Sequence, residues 1–432
     1  MRTQQQRYIP RSPNIIQRIL KDHFASFEEC YEERYAKTYG SFRIIRIKEA
    51  VLGCLDCGDY TKGIARIQCT NPECKHEYFR PFSCKTWYLC PSCHQKRILL
   101  LAEHLDREVL LHLPHRQFVF SIPKILRPYF RYDRKLFAGV TRIIHELLEE
   151  YCQQATGKDV RTGAVVSYQS FGDMLRFNPH WHSITLEGCI DISGVFHHLP
   201  VKDTAALTEC FRRRIVEYFV EKELLNKDFA RNLLSWRHSG FSVDNSVLIA
   251  ADDHKAREGL AQYISRHPVS LKKIIYVPAQ GKVIYKTKYN QYFGENIKLI
   301  TAVDFIALLT AHIPEKHKHL IRYYGIYSSR TKGKAREDGS LDKFGFGMKG
   351  TDESDEEASG DSVETITRQQ AKSAWARMIR KVYEVDPLVC PKCGEKMRVL
   401  AVITGRQEIL RILEHLKRNK APPFDNVYPQ VS

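Results

Sequence analysis

Apolar residues recur along the chain with two different spacings, and each spacing predicts one kind of element. The helical spacing occurs in stretches 13–29, 97–113, 133–154 and 204–225, and in a helix that ends before Pro268 and has Leu260, Tyr263 and Ile264 on one face. Strand-like stretches, rich in aromatic and β-branched residues, occur at 116–122, 163–170 and 180–190. No regular short repeat of a parallel barrel is present, so we predict an α+β fold with a mainly antiparallel sheet and flanking helices.

Changes in composition divide the chain into five parts. We predict an N-terminal helical segment (1–43), a cysteine-rich zinc-binding domain (44–97), an α+β domain (98–330), a flexible linker (331–370) and a C-terminal domain with a helix and a cysteine pair (371–432). The linker is rich in Gly, Ser, Lys and acids, with an acidic run at 352–357, and buries too little apolar surface to order itself.

The charge of the chain indicates an acidic partner. Lys and Arg number 67 against 50 Asp and Glu, which gives a net charge of +17 and a pI of about 9.2. Such an excess is typical of nucleic-acid binding, although an acidic membrane surface is an alternative partner. No apolar window approaches the length of a membrane span and no signal peptide is recognisable, so we expect a cytoplasmic protein in a reducing compartment, at the nucleoid if bacterial, with no membrane partner.

Thirteen cysteines are present, and seven of them lie between residues 54 and 93. In a reducing compartment such a cluster predicts thiolate metal ligands rather than disulfides. Cys69 with Cys74, and Cys90 with Cys93, have the spacing of two knuckles of a zinc ribbon, which predicts one structural Zn²⁺ site.

Five other cysteines are candidates for a second zinc site: Cys54, Cys57, Cys84, Cys390 and Cys393. Cys390 and Cys393 form a CxxC pair that lacks a second pair nearby in the sequence. One hypothesis joins this pair to Cys54 and Cys57, which would clamp the two ends of the chain together; an unmetallated pair is the alternative. His76 and His94 are also close enough in the sequence to contribute.

Two histidines form the strongest candidate for a catalytic metal site. His180 and His182 flank Trp181 on a predicted strand, so both imidazoles lie on one face and can hold a divalent cation. A second His-x-His pair, His317 and His319, lies between lysines without apolar alternation, and we interpret it as exposed basic residues. Taken alone, Tyr263 is one of 22 tyrosines and is best explained as a core residue.

Five segments together resemble one known family. They are CGDYTKGIARIQC, FNPHWHS, AQYISRHPVS, HLIRYYGIYSSR and DPLVCPKCGEKM, and they occur in the family's order from about Cys57 to Thr404. The chain resembles the insertion sequence ninety-one (IS91) family of rolling-circle transposases, which are HUH endonucleases with an N-terminal zinc-binding domain. It is most similar to the single-tyrosine members related to the ISCR elements.

This resemblance implies the chemistry of the 98–330 domain. His180 and His182 would form the HUH motif and Tyr263 would be the nucleophile that cleaves DNA and forms a 5′-phosphotyrosine bond, assisted by Mg²⁺ or Mn²⁺. Two-tyrosine members have another tyrosine where this chain has Gly259. A second strand transfer would then need the DNA 3′-hydroxyl or the second protomer of a homodimer.

Two histidines leave the coordination of a cation incomplete. Asp173 is our first candidate for the third ligand, with Gln169 and Gln262 as alternatives. A tyrosine nucleophile must reach one strand, which predicts single-stranded or hairpin DNA at the ends of a mobile element as the substrate. Candidate DNA-binding residues combine positive charge with aromatic rings: Arg266, Lys272, Lys273, Lys286, Lys288, Arg322, Tyr323, Tyr324 and Arg330.

Two other functions fit the same residues. A plasmid replication initiator or relaxase would use the same chemistry on a different DNA target. A non-catalytic zinc-ribbon DNA-binding protein would use His180 and Tyr263 only for packing.

Overall fold

The protein is described by a computed structural model over residues 13–290, 294–345, 389–390 and 392–418. The acidic run and the helix predicted directly after residue 371 lie outside these ranges. The N-terminal part consists of helices α1 (Ile15–Glu29), α2 (Tyr31–Arg34), α3 (Ala36–Tyr39) and α4 (Arg43–Leu55), strands β1 (Ile64–Cys69) and β2 (Glu77–Pro81), and helix α5 (Pro91–His104).

The central part alternates strands and helices. Its first half comprises β3 (His115–Ser121), α6 (Arg127–Tyr132), α7 (Leu136–Thr156), β4 (Val160–Arg161), β5 (Gly163–Phe171), β6 (Phe177–Leu186), β7 (Gly188–Asp191) and β8 (Phe196–His198). Its second half comprises α8 (Ala205–Glu221), α9 (Lys227–Ser235), β9 (Ser242–Ile249), α10 (His254–Ile264), β10 (Ile274–Val277), β11 (Lys282–Asn290), β12 (Glu295–Thr301), α11 (Ala302–Thr310), β13 (Ile321–Gly325) and α12 (Ser329–Asp338). The C-terminal part contributes β14 (Met397–Ile403) and α13 (Arg406–Arg418).

The largest sheet has five strands in the order β13-β5-β6-β3-β9, and all neighbours are antiparallel. The predicted α+β class with a mainly antiparallel sheet is therefore confirmed. The strands predicted at 116–122 and 163–170 match β3 and β5, whereas the strand predicted at 180–190 is β6 followed by β7. Of the described helices, none is both long and apolar enough to cross a membrane.

The two faces of this sheet pack against different helices. Trp181 of β6 points into a core with α6, α7 and α8, while Ile184 and Leu186 of the same strand join a core with α5, α10 and α12. Because side chains alternate along a strand, His180 and His182 share the face of Ile184. The histidine pair therefore faces the helix that carries Tyr263.

A further core joins the N-terminal helices to the cysteine-rich stretch. Phe27 of α1 and Val51 of α4 pack in one cluster with Cys90 and Cys93, and with Phe305 of α11. The sheet β10-β11-β12 closes this cluster from the other side. The predicted segments 1–43 and 44–97 thus share a core in the structure.

The C-terminal strand completes the N-terminal sheet, in the order β14-β1-β2. β14 runs antiparallel to β1, with Ile403 opposite Ile64 and Met397 opposite Cys69. Ile409 of α13 packs with Ile64 and Ile403. The described part of 371–432 is therefore joined to the N-terminal module rather than standing as a separate domain.

The flexible linker predicted from residue 331 does not begin there, because α12 covers residues 329–338. The Ser328 side chain caps this helix by accepting a hydrogen bond from the backbone N–H of Thr331. Ala335 and Leu341 are buried in the core beneath α10. One cap and two buried apolar side chains order a segment whose overall composition is polar.

Candidate active site

His180 and His182 lie on β6, the middle strand of the five-stranded sheet, and both side chains are buried. Their ring centroids are 4.9 Å apart. The register with β5 places Gln169 opposite His180 and Ser167 opposite His182. Directly opposed residues of antiparallel strands share a face, so these four side chains form one polar patch beneath α10.

Both imidazoles are in the neutral state that binds cations. Burial lowers the pKa of His180 to about 4, and it lowers the pKa of His182 well below its usual value. His180 Nδ1 donates to the carbonyl oxygen of Asn178 at 2.8 Å, which leaves the lone pair on Nε2. His182 Nδ1 lies 3.0 Å from the side-chain amide of Gln117. As placed, Gln117 Nε2 donates to His182 Nδ1, which puts the His182 proton on Nε2; turning the amide by 180° would present its oxygen to Nδ1 and leave the lone pair on Nε2.

Tyr263 lies against this pair, near the C-terminal end of α10. Its ring is 5.4 Å from that of His182, in an edge-on arrangement, and 44% of the residue is exposed. Ser167 Oγ donates to the carbonyl of Ile264 at 3.0 Å, and Gln169 Nε2 donates to the carbonyls of Tyr263 and Ile264 at 3.3 and 3.0 Å. The sheet thus satisfies the last carbonyls of α10 and fixes the tyrosine beside the histidines.

Two arginines place positive charge at this patch. The guanidinium carbon of Arg266 lies 4.8 Å from the centre of the Tyr263 ring. Burial is the largest cause of the lowered pKa of both histidines. The charge of Arg266 lowers both pKa values further, and the charge of Arg127 also lowers that of His180. A phosphate group bound between Tyr263 and the histidines would therefore meet positive charge.

A first cluster of four cysteines is formed by Cys57, Cys84, Cys90 and Cys93. Cys93 Sγ lies 3.5 Å from Cys57 Sγ and 3.6 Å from Cys84 Sγ, and the Sγ atoms of Cys90 and Cys57 are 3.7 Å apart. A tetrahedral Zn²⁺ with Zn–S bonds of about 2.3 Å requires sulfur atoms about 3.8 Å apart. The spacing of these sulfurs fits such a site.

A second cluster contains Cys69, Cys74, Cys390 and Cys393. The Sγ atoms of Cys69 and Cys393 are 3.5 Å apart, and those of Cys74 and Cys390 are 3.7 Å apart. All thirteen cysteines are free thiols.

The predicted grouping of the cysteines was wrong, although each predicted knuckle exists. Cys69 and Cys74 do not meet Cys90 and Cys93, because β1 carries the first pair to the edge where β14 adds. Cys390 and Cys393 do reach the N-terminal module, but their partners are Cys69 and Cys74. Cys54 belongs to neither cluster; it is buried in the N-terminal core.

Comparison with known proteins identifies the family. A transposase zinc-binding domain model, Zn_Tnp_IS91, matches residues 24–122, and a transposase model, Y2_Tnp, matches residues 163–335. The transposase for insertion sequence element IS801 of Pseudomonas savastanoi pv. phaseolicola is 24% identical over 415 residues, which span 91% of this chain and 92% of that protein.

The chain belongs to the IS91 family of transposases. It contains the zinc-binding domain of that family, and both histidines and Tyr263 lie within the region matched by the transposase model. No solved structure matches the chain.

In this transposase the first cysteine cluster is connected to α10, the helix that carries Tyr263. Cys93 lies in the first turn of α5, and the next residue, His94, is fully buried. The His94 Nε2 atom lies 2.8 Å from the backbone carbonyl oxygen of Ser265, the residue that ends α10. The His94 ring also packs edge-on against His267, with centroids 4.9 Å apart. A change at the first cluster can therefore shift the end of α10 and with it Tyr263.

Asp173, our first candidate for the third ligand of the cation, is not part of the histidine patch. It is exposed at the start of a short 3-10 turn between β5 and β6, and no described carboxylate joins the histidines as a group of three metal ligands. Gln169 instead faces His180 directly, and its Oε1 is buried without a hydrogen-bond partner. Gln262, the other alternative, is partly buried beside Tyr263.

The candidate DNA-binding residues fall into three groups. Arg266, Lys272, Lys273, Lys286 and Arg330 are exposed, and the side chain of Lys288 lies outside the described part. Tyr323 and Tyr324 are packed rather than free to stack: Tyr324 donates to or accepts from Thr141 at 2.7 Å, and burial raises the pKa of Tyr323 to about 12. Arg322 is partly buried beside them.

Three residues of the site were not predicted from the sequence, and a fourth, His94, was considered there only as a zinc ligand, which it is not in either cluster. Gln117, Ser167, His94 and Arg127 all act on the histidines or on α10 through contacts between distant segments. The register of β3 and β5 against β6 would have pointed to Gln117 and Ser167, but the strand order is not readable from one sequence. His317 and His319 are exposed, as predicted.

Proposed function

We propose that this transposase cleaves and rejoins single-stranded DNA through a 5′-phosphotyrosine intermediate on Tyr263, as in rolling-circle transposition. The observation that carries the proposal is the contact of the Tyr263 ring with a buried, neutral histidine pair on the central strand. A tyrosine that served only for packing would be buried. Tyr263 is instead 44% exposed beside the histidine pair. Burial lowers the pKa of His180 most, and the charges of Arg266 and Arg127 lower it further.

The residues present fit a divalent cation. His182 Nε2 and Gln169 Oε1 are buried without hydrogen-bond partners, and both belong to the patch that contains His180. Such orphaned polar atoms are costly unless a ligand satisfies them, and His182 Nε2 becomes a ligand atom once the Gln117 amide turns its oxygen to Nδ1. We propose that His180, His182 and Gln169 hold Mn²⁺ or Mg²⁺; imidazole ligands suit Mn²⁺ and amide oxygen suits either ion. When bound, the cation polarises the scissile phosphate.

The chain's own residues perform the transfer. The Tyr263 oxygen loses its proton to water and attacks phosphorus, while the bond from phosphorus to the 3′ oxygen breaks and that oxygen takes up a proton. Arg266 and Arg127 stabilise the charge on the phosphate oxygens in the transition state. The 5′-phosphotyrosine bond keeps the energy of the broken bond, so rejoining to a 3′-hydroxyl requires no nucleotide cofactor.

One tyrosine serves each active site in this proposal. A Cβ built on Gly259, one turn before Tyr263, would meet no atom within 4 Å, so the position is open but carries no hydroxyl. The second strand transfer then uses the DNA 3′-hydroxyl or a second protomer. The exposed Arg266, Lys272, Lys273, Lys286 and Arg330 would contact the phosphates of the single-stranded or hairpin substrate.

The zinc of the zinc-binding domain has a structural role in this proposal. Cys57, Cys84, Cys90 and Cys93 hold it with four thiolates, which leaves no open position for a substrate.

A nicking assay tests the proposal. The full chain is incubated with Mn²⁺ or Mg²⁺ and a labelled single-stranded oligonucleotide from an element end, and adducts that survive denaturing gels are measured. We expect an adduct that Tyr263→Phe abolishes and that Tyr132→Phe, at a more exposed tyrosine on α6, retains.

Three outcomes would contradict all or part of it. Equal adducts from the parent and Tyr263→Phe would exclude this nucleophile, and retained DNA binding without an adduct from either would favour a non-catalytic DNA-binding protein. Equal activity on unrelated plasmid origins would favour a replication initiator or relaxase.

A further inference from the structure

The second cysteine cluster joins two segments that lie far apart in the sequence. Cys69 and Cys393, whose sulfurs are 3.5 Å apart, are separated by 324 positions. Cys74 and Cys390 are separated by 316. The match to the zinc-binding domain ends at residue 122 and the match to the transposase model at residue 335, so half of this cluster lies beyond both.

Both halves of the cluster have the backbone of metal-binding knuckles. In the N-terminal half, the Asn71 N–H donates to Cys69 Sγ at 3.4 Å, and Asn71 Oδ1 accepts from the N–H groups of Glu73 and Cys74 at 2.9 and 3.4 Å. A donor to sulfur stabilises a thiolate. The turn is therefore ordered around the sulfur rather than around an apolar core.

The C-terminal half is a tight turn of the same kind. The Cys390 N–H donates to the carbonyl of Glu395 at 2.7 Å, and the Gly394 N–H donates to the carbonyl of Cys390 at 2.8 Å. Gly394 has a φ of +78°, in the left-handed region that glycine adopts without strain. This turn directs both sulfurs of the pair toward Cys69 and Cys74.

Among the described residues, only a small apolar core supports the sheet at this end. The apolar cluster around the four sulfurs has five buried residues, of which two are the ligands Cys69 and Cys390. The other three are Ile67, Tyr78 and Met397. The neighbouring cluster under α13 has four buried residues. Modules with so small a core commonly depend on a metal ion.

We propose that the second cluster is a tetrathiolate Zn²⁺ site that fixes the C-terminal strand β14 to β1. The ion closes a loop that runs from Cys74 through β2, α5 and the active-site domain and returns at Cys390. The transposase therefore holds two zinc ions, one within the N-terminal module and one between the two ends of the chain.

Metal content of the full chain tests this site independently of nicking. Zinc per chain is measured by mass spectrometry for the parent, the double variant Cys390→Ser/Cys393→Ser and the control Cys210→Ser, which changes an exposed cysteine outside both clusters. We expect two zinc ions in the parent and the control and one in the double variant. One zinc in the parent, or two in the double variant, would overturn the proposal.

A second variant separates loss of a ligand from loss of folding. Cys393 is exposed, so Cys393→His can supply an imidazole ligand without disturbing a core, and we expect two zinc ions to remain. Hydrogen exchange of the β1 and β14 amides should be slow in the parent and in Cys393→His and fast in the double variant. Slow exchange in the zinc-depleted double variant would contradict the role of the ion in holding β14.

Discussion

The two cysteine clusters have the same chemistry and opposite surroundings. Cys57 and Cys93 of the first cluster are 36 positions apart, whereas Cys69 and Cys393 of the second are 324 apart. The first is packed into the core shared by α1, α4 and α11. The second lies at the edge of a three-stranded sheet with a small core of its own.

Their connection to the active site also differs. Next to Cys93 of the first cluster, the ring of His94 contacts the backbone carbonyl of Ser265, two residues after Tyr263. The second cluster is instead connected to β1 and β14, for example through the hydrogen bond from the Thr70 N–H to the carbonyl of Lys396. In the functions proposed above, the local site positions the helix that carries Tyr263, while the long-range site closes the chain.

The largest expected effect comes from breaking the first cluster. We expect Cys57→Ser/Cys84→Ser to lose the folded state or at least about 100-fold in nicking, because a structural zinc contributes about 10–16 kcal/mol to the folding of small metal domains. Cys390→Ser/Cys393→Ser should leave nicking of a short oligonucleotide nearly unchanged. The nicking rate per folded chain is measured for both double variants. Equal losses of rate would show that the two clusters do not differ in their connection to Tyr263.

The next effect is on stability at low pH. Burial lowers the pKa of His312 to about 3, and Ser170 Oγ and the carbonyl of Leu175 lie 3.1 Å from its two ring nitrogens. The unfolded chain takes up this proton near pH 6.5 and the folded chain only near pH 3, so the stabilisation present above pH 6.5 is lost as the pH falls. Each unit of difference corresponds to about 1.4 kcal/mol.

Denaturant unfolding of the parent and His312→Gln, at pH 7 and pH 5, measures this loss. We expect the free energy of unfolding to fall less steeply with pH in the variant. Buried histidines on the side of the first cluster have the same direction of shift, since burial lowers the pKa of His94 to about 3 and that of His267 to about 4. A parent whose stability rises between pH 7 and pH 5 would contradict both the sign and the cause.

A smaller effect isolates the connection between the first cluster and Tyr263. We expect His94→Ala to lower the nicking rate about tenfold, equivalent to about 1.4 kcal/mol, with little change in DNA affinity. His94→Gln, whose amide can donate to the carbonyl of Ser265, should restore part of the rate. The control is His104→Ala, at a partly exposed histidine of the same helix. A loss of DNA affinity equal to the loss of rate would exclude a positioning role.

The smallest effect concerns α10 itself. Gly259 is an interior residue of this helix with open space around its Cβ position. We expect Gly259→Ala to raise the free energy of unfolding by about 0.5–1 kcal/mol, because alanine loses less backbone entropy in a helix. Nicking should not change, since the sheet already fixes the C-terminal end of α10. Thermal unfolding and the nicking assay check both parts, and reduced nicking would show that α10 must bend at Gly259.

Local patterns predicted the elements, and they also predicted the residues whose roles depend on local geometry. Alternation along β6 placed His180 and His182 on one face, and the helical face of Tyr263 was readable from Leu260 and Ile264. Cys69-Cys74 and Cys390-Cys393 were recognised as knuckles from their spacing. These features depend on neighbours within one or two turns of the chain.

Features that depend on which segments meet were not predictable in this way. The grouping of the knuckles depends on β14 adding to β1, more than 300 positions away. Asp173 was chosen because it is near His180 in the sequence, yet the turn directs it to solvent while Gln169 on the neighbouring strand faces His180. The linker at 331–338 was predicted from composition, which does not reveal the cap at Ser328.

In the proposed mechanism, Tyr263 forms the covalent bond to DNA. The most direct measurement traps the adduct formed with a single-stranded element end in Mn²⁺, trims the DNA with nuclease and locates the remaining nucleotide by tandem mass spectrometry. We expect a 5′-linked phosphonucleotide on the peptide that contains Tyr263. A nucleotide on another tyrosine, or one linked through its 3′ end, would contradict it.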